Sequence, residues 1–557
     1  MAGFKISFFS GLSEKISPRL LPTDVAQNAQ NVFLDSGRIE GIKVDTDHSS
    51  EAADPDTHPA SHISASTKTI FQATTNEWLT FTEDVDIIRS PIKQDSFNRI
   101  YFTGNGGFPK YGGQANLISG SGPYPAASFR LGLPIPASIS SISVDNSAVP
   151  NASVSSRAYV YTEITTFGEE GPPSAVTTNQ IVDAADGATV TLGFPAASSG
   201  NLSIAKRRLY RTDVNGLFRF VTDIAGTSSG NFTEAVVDSL LGEELESSDN
   251  LAPPDDDTSS HPDGPMLGIT AMPNGITAGF AGKTLLFSES YLPHSFPEAN
   301  QLTSRDDIVG IASIAQGLLV TTTGKPLLVS GTDPSAMGMV EIDANLPNAN
   351  KRSLVDMGEY AIYSSPDGLV SVSSNGVQVV TEQIFTRDQW QNYYPTNIEA
   401  YEYEGKYIAF TFDGSNNATK KGFIFDPRGG KNAFVNLDFY ATAGYNDRLN
   451  DILFLVIDGN LKAFAQGTAA RTYLWKSKDF YSNIDICPSV AKVNAESYSS
   501  LTFKLFADGV LKHTQTVTNG NFFRLPSGYR CKSIEVQLEG TDTINEVCVY
   551  ESPQEIT

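Results

Sequence analysis

The sequence predicts an all-β protein. The expected architecture is an about six-bladed β-propeller with an inserted fibronectin- or immunoglobulin-like β-sandwich, an N-terminal arm and a C-terminal β module. The first observation behind this is a repeat between Met266 and Phe464. Copies begin near Leu267, Asp307, Arg352, Ile398 and Phe434, in steps of 40, 45, 46 and 36 residues. A period of about 40–45 residues with several short apolar runs per copy is the spacing of propeller blades. The second is composition within the runs: Tyr407-Ile408-Ala409-Phe410-Thr411-Phe412 has the β-branched and aromatic residues that suit a half-buried pleated surface. The third is the set of turn dipeptides Asn274-Gly275, Asp367-Gly368, Asn375-Gly376, Asp413-Gly414 and Asp458-Gly459. Such pairs supply the positive φ that tight hairpins require.

In chain order, residues 1–67 read as an arm. A strand is expected at Phe4–Phe8, then a short helix capped by Thr23 or Asp24, with Val25, Ala26, Ala29, Val32 and Phe33 on one face. A hairpin follows at Leu34–Ile39, and a polar loop with His48, His58 and His62 runs from Asp45 to Thr67. Residues 68–136 hold a first blade, from runs at Thr69, Trp78, Asp86 and Arg99, and a Pro-rich hinge at 131–136. Residues 137–250 are the inserted sandwich, with strand runs at Arg157–Phe167, Ala188–Phe194, Leu202–Thr212, Leu217–Thr222 and Phe232–Val237. Residues 251–469 carry the remaining blades, and 470–557 a terminal antiparallel module.

Composition bounds the function. The chain has 557 residues, 40% hydrophobic and only 18% charged, with 46 Gly and 30 Pro, a turn-dense mixture expected of several β domains. Its net charge of −24 repels nucleic acid at long range and cannot supply the counterion-release affinity of a DNA binder. No apolar run reaches spanning length, and the N-terminus lacks the pattern of a signal peptide. Three widely spaced cysteines, Cys487, Cys531 and Cys548, form neither a metal pattern nor a disulfide framework.

Chemistry is sparse. Gly282-Lys283-Thr284 ends like a phosphate loop, but the upstream glycine position holds Thr277 and no helix follows. His294, between prolines 293 and 297, is a conceivable acid or base against the plainer reading of a packed turn histidine. Asp306-Asp307, Asp367, Asp413 and Asp458 are candidates for the carboxylate pair of a propeller glycosidase, although the last three fall in Asp-Gly turns. Asp54-Pro55-Asp56 and Asp255-Asp256-Asp257 lack the spacing of a calcium loop. The expectation is therefore no catalytic residue, no metal and no cofactor.

Several stretches together carry a resemblance. They are Ala26–Val32 with Ser36–Ile39, Tyr159–Thr162 with Gly168–Ser174, Lys206–Thr212, Met272–Ile276, Ser288–His294, Ser364–Leu369 and Thr386–Trp390. In order and character over most of the chain, these are similar to virion structural proteins of tailed bacteriophages, in particular the tail nozzle (tail tubular protein B) class of short-tailed phages. The resemblance implies a homohexameric ring at the distal end of the tail, made in the host cytoplasm and carried in the virion. It further implies an adaptor or tubular protein above, tail fibres at the side, contact with the host outer membrane, and transient passage of genomic DNA. The expected function is a non-enzymatic conduit for DNA ejection. Two alternatives remain open: a propeller depolymerase or glycosidase acting on host polysaccharide, and a receptor-binding module using the insertion.

Overall fold

The β-branched and aromatic runs become short strands that curl into small antiparallel meanders instead of one open sheet. The computed structural model describes residues 3–48, 62–176, 180–373, 376–429, 433–552 and 554. The fold is an all-β propeller with an inserted sandwich, an N-terminal arm and a C-terminal β module. The chain forms two compact units: Met1–Thr82, Ile314–Leu327 and Glu341–Thr557 in one, Glu83–Ser313 and Leu328–Val340 in the other.

In the second unit, the first four-stranded blade is Asp86–Arg89, Ile100–Thr103, Lys110–Gly112 and Phe129–Arg130. The second is Leu267–Ala271, Thr277–Ala281, Thr284–Phe287 and Gln301–Thr303. Between them in sequence lies the sandwich. Ser141–Asp145, Thr189–Phe194 and Gly230–Glu234 form one sheet, and Ile181–Ala185, Val154–Thr165, Ile204–Thr212 and Phe218–Ala225 the other. Its core includes Tyr159, Tyr161, Val190, Leu192, Phe194 and Leu209, the inward positions of alternating strands. The third repeat supplies the strands Ile308–Ile314, Gly317–Thr322, Leu327–Ser330 and Gly338–Glu341, its residues divided between the units.

The first unit holds the blade Val355–Asp356, Ala361–Ser365, Gly368–Ser373 and Gly376–Val379. The next blade is Glu399–Tyr403, Lys406–Thr411, Lys421–Phe425 and Phe434–Leu437. Here the expected repeat boundary shifts. The run at Phe434 does not open the last copy, because it pairs with Gly422–Phe425 and closes the copy before. The last blade therefore has only Ala443–Asp447, Ile452–Ile457 and Asn460–Ala463, and takes its fourth strand, Thr46–Asp47, from the arm. The expected first blade is also redrawn. Thr69–Gln72 and Trp78–Phe81 make a separate two-stranded sheet, and the runs after them join the first blade of the other unit. Ile70 and Trp78 pack on Ala443, Phe454 and Leu461 of the last blade, which holds the hairpin there.

The helix expected after Thr23 does not form. Its residues are strands at Val25–Ala26, Asn28–Gln30 and Val32–Phe33, and Asn31 has a left-handed φ of 56° that no helix admits. The apolar spacing is helical, but extended main chain is favoured because its N–H and C=O groups find ladders to complete. Ser10–Leu12 pairs in parallel with Val25–Ala26. Gln30 bridges Asn436 of the Phe434–Leu437 strand, and Asn28–Gln30 pairs with Leu474–Lys476 of the C-terminal module. The hairpin at Leu34–Ile39 forms as expected, between Val32–Phe33 and Glu40–Gly41. The arm strand Gly3–Ile6 adds to the terminal strand Ile544–Tyr550. One apolar cluster consequently joins arm residues Phe9, Ala29 and Val32, blade residues Ile362 and Phe423, Trp390 of the short helix Arg387–Gln391, and module residues Trp475, Phe503 and Val536.

Trp475 sits at that junction, fully buried, edge-on to Phe9 at 4.9 Å, its Nε1 donating to the Ser10 carbonyl at 3.1 Å. Trp475→Ala is expected to lower stability by about 3–5 kcal/mol, read as a lower urea midpoint with unchanged slope.

Candidate functional site

A densely bonded polar site of the second unit is built by the loop Gly168-Glu169-Glu170-Gly171-Pro172-Pro173-Ser174. The strand Val154–Thr165 ends, Gly168 takes φ 83°, and the chain runs back extended, so adjacent side chains point to opposite sides. Glu169, 6% exposed, turns toward the first blade. Its Oε1 accepts from Arg99 Nη1 at 2.6 Å, and its Oε2 accepts from the Tyr111 hydroxyl and from Thr165 Oγ1 at 3.4 Å. Arg99 Nε donates to Asp95 at 2.7 Å, completing a buried Asp–Arg–Glu chain. Burial, and after it the Glu169 charge, pushes the Tyr111 phenol far above its ordinary range, so it remains a donor.

Glu170 turns the other way. Its Oε1 accepts from Thr162 and Tyr210, both at 2.7 Å, and its Oε2 from Arg208 Nη1 at 3.0 Å. The Glu170 carbonyl accepts from Asn250 Nδ2 at 2.9 Å, and His294 Nε2 lies 3.3 Å from it. Two adjacent residues thus tie the first blade, the sandwich, the linker near Asn250 and the turn at His294. His294 is 4% exposed. Burial lowers its pKa below the usual imidazole value, against the nearby Glu169 and Glu170. A carbonyl only accepts, so Nε2 carries the hydrogen, and Nδ1 is buried with no hydrogen-bond partner among the described residues.

Over this floor opens a cleft of about 750 Å³, lined by Glu170, Glu243, Glu244, Glu246, Asp249 and Glu289, with Arg208, Phe220, Leu292 and His294. Arg208 is already engaged by Glu170 and Asp223.

The other candidates from sequence do not converge on one site. Asp367 pairs with Arg387 at 3.2 Å, and Asp458 sits at φ 52° in the two-residue hairpin between Ile457 and Asn460. Asp413 accepts from the backbone N–H groups of Asn416 and Ser415, which lower its pKa. The Asp306 main-chain oxygen accepts from Ser304, just ahead of the strand Ile308–Ile314. Gly282-Lys283-Thr284 forms the hairpin turn between Ala281 and Thr284, as its position between strands required. Asp255 pairs with Arg130 and lies 3.6 Å from His261, while Asp257 accepts from Ser259 and Ser260 within its own turn. His48 packs on Phe454 at a ring distance of 5.0 Å. Among the described residues, no group of three or more His, Cys, Asp or Glu is placed to hold a metal ion. His58, Asp54-Pro55-Asp56 and Asn375 lie outside the described residues. The described thiols are free, and burial raises those of Cys531 and Cys548 to about 11. No helix among the described residues is long and apolar enough to cross a membrane.

No protein-family model matches the chain, and no curated protein does. Among solved structures, an exo-β-1,3-galactanase from Phanerochaete chrysosporium is similar at 10% identity, covering 51% of this chain and 95% of that one, with a TM-score of 0.21. A virginiamycin B lyase from Staphylococcus aureus is similar at 9% identity, covering 69% and 98%, with a TM-score of 0.26. Hsv2 from Kluyvelomyces marxianus is similar at 10% identity, covering 60% and 95%, with a TM-score of 0.25. At these scores the likeness assigns no role to any residue here.

Glu169→Gln removes one partner of a buried pair and is expected to cost about 3–5 kcal/mol, whereas the exposed Glu243→Gln should stay within about 0.5 kcal/mol. Urea unfolding of both variants measures the contrast. For His294 the folded pKa lies below the unfolded value, so the unfolded state takes up more protons as pH falls. Unfolding free energy should therefore drop between about pH 7.5 and 5.5, and His294→Gln should flatten that drop.

Proposed function

We propose that this chain is a non-enzymatic structural component of a bacteriophage tail, the distal nozzle ring that forms a conduit for DNA ejection. One observation carries the reading: the N-terminal arm is woven into the sheets of the first unit. Its strands extend the terminal sheet at Gly3–Ile6, bridge a blade to the C-terminal module at Asn28–Gln30, and complete the last blade at Thr46–Asp47. Opening any of these elements breaks main-chain ladders in another, which suits a part that transmits force more than one that must flex to turn over substrate. The second unit has its own lock in Glu169 and Glu170.

The resemblance in the sequence supplies the finer part: a homohexamer, an adaptor or tubular protein above it, tail fibres beside it and contact with a host outer membrane. The net charge of −24 gives the passage a physical rationale, since acidic walls repel the DNA that must slide past them.

Native mass spectrometry of the full chain, alone and with a tail adaptor protein, tests the proposal. A closed ring in either condition is expected. A monomer in both, together with release of reducing sugar from capsule or lipopolysaccharide, overturns it in favour of a depolymerase. At about 0.15 M salt the assembled protein should not retain duplex DNA on a gel, because no counterion release drives association with an acidic surface.

A further inference from the structure

Along one side, the C-terminal module carries the opposite charge from the rest of the chain. Residues 509–534 hold Lys512, Arg524, Arg530 and Lys532 and no Asp or Glu, which leaves 35 cations against 63 acids, a charge of −28, on the remaining residues. All four are exposed, and none forms an ion pair among the described residues, whereas Lys476 and Lys504 of the same module pair with Glu535 and Glu539. They gather in space. Lys512 Nζ lies 5.7 Å from the centre of the Tyr529 ring, beside Arg530, and the Lys532 N–H donates to Asp508 at the turn before Val510. The Phe523 ring lies 6.4 Å from that of His513, which brings Arg524 next to the same strand. Asp508 and Asp485 stand near Cys531 and offset part of the charge.

Both sheets of the module also stop on this side: Val510–Thr516 is the last strand of one and Phe523–Arg524 of the other. Natural sheet edges are blunted by lysine and by bulges, and this one has both, in Lys512 and the register shift at Leu505 and Phe506. Blunting accounts for one lysine. It does not account for three further unpaired cations, with Val510, Leu511 and Phe522 exposed among them.

We propose that this cationic side of the module docks on the acidic surface of a second copy of the chain. The inference rests on the ring proposed above and names the contact that builds it. A cationic side meeting a body of charge −28 is complementary between copies. The two surfaces differ, so the contact runs head to tail, the kind that generates a ring when its rotation closes. The acidic remainders of two copies repel, so the cationic side also selects which faces approach. Cations spent in the contact are removed from the passage along which DNA slides.

The full-length wild type and K512E/R530E/K532E are compared by native mass spectrometry and sedimentation at about 0.05 and 0.5 M salt, with near-UV circular dichroism to check folding. The variant should need at least about tenfold more protein for half-assembly, and salt should weaken assembly of the wild type. The control K68E/K93E/R305E makes the same charge change at exposed positions elsewhere and should assemble within about twofold of the wild type. Carbodiimide cross-linking of mixed unlabelled and 15N-labelled wild-type chains needs no variant, and decides the matter if K512E/R530E/K532E is unfolded. Mixed-label links from Lys512 or Lys532 to Asp or Glu are expected. A wild type that stays monomeric, alone and with a tail adaptor protein, overturns the ring and this contact with it. A wild type that forms a ring without those links, or no better than the folded K512E/R530E/K532E, overturns the contact and leaves the ring standing. Binding of the monomer to anionic lipid vesicles, with no assembly, would give the surface to a membrane and overturn the contact as well.

Discussion

Two neighbouring carboxylates facing opposite ways organise the second unit. Glu169 and Glu170 follow one another on extended chain, and that alternation sends one into the first blade and the other into the sandwich. Burying either carboxylate is costly, and each is given several donors at once to offset that cost. Arg99 and Tyr111 answer Glu169, while Arg208, Tyr210 and Thr162 answer Glu170. Leaving any of these groups unpaired in the interior is penalised, so the bonding pattern specifies one seating of the inserted domain on its blade. Pro172 and Pro173 then stiffen the exit from the loop without needing N–H partners.

What could be read from the sequence was what depends on neighbours in the chain. The blades follow from local hairpins, and hairpins are announced by Asx-Gly pairs such as Asp458-Gly459, whose φ values of 52° and 77° are those the turn demands. The sandwich showed itself in alternating runs, though Ser141–Asp145 and Ile181–Ala185 carry too few large apolar residues to stand out. The stretch of the arm after Thr23 was illegible for the opposite reason. Val25, Ala26, Ala29 and Val32 have a helical spacing, and only pairing with Ser10–Leu12 and with the distant Asn436 and Leu474–Lys476 decides that the chain stays extended. Tertiary pairing overrode local pattern there.

The same logic governs the site. A Gly-Glu-Glu-Gly-Pro-Pro-Ser stretch reads as a surface turn, since acidic and proline residues are common in loops. Nothing within it says that Glu169 is buried, because Arg99 and Tyr111 lie 70 and 58 residues away. The residue types offered one clue: the strand Ile204–Thr212 carries the buried Arg207 and Arg211 and the part-exposed Arg208, and guanidinium groups taken from water require carboxylates or carbonyls nearby. His294 was legible as a packed turn residue, but the lack of a partner for its Nδ1 among the described residues was not.

The thread of the arm also sets an order of events during synthesis. Asn28–Gln30 emerges from the ribosome early, yet one of its ladders waits for Leu474–Lys476, and Thr46–Asp47 waits for Lys462 and Ala463. At roughly 5–20 residues per second, these segments remain without those partners for tens of seconds. Until those partners are made, the open strand edges of the arm are free to pair wrongly, with another chain as readily as with their own.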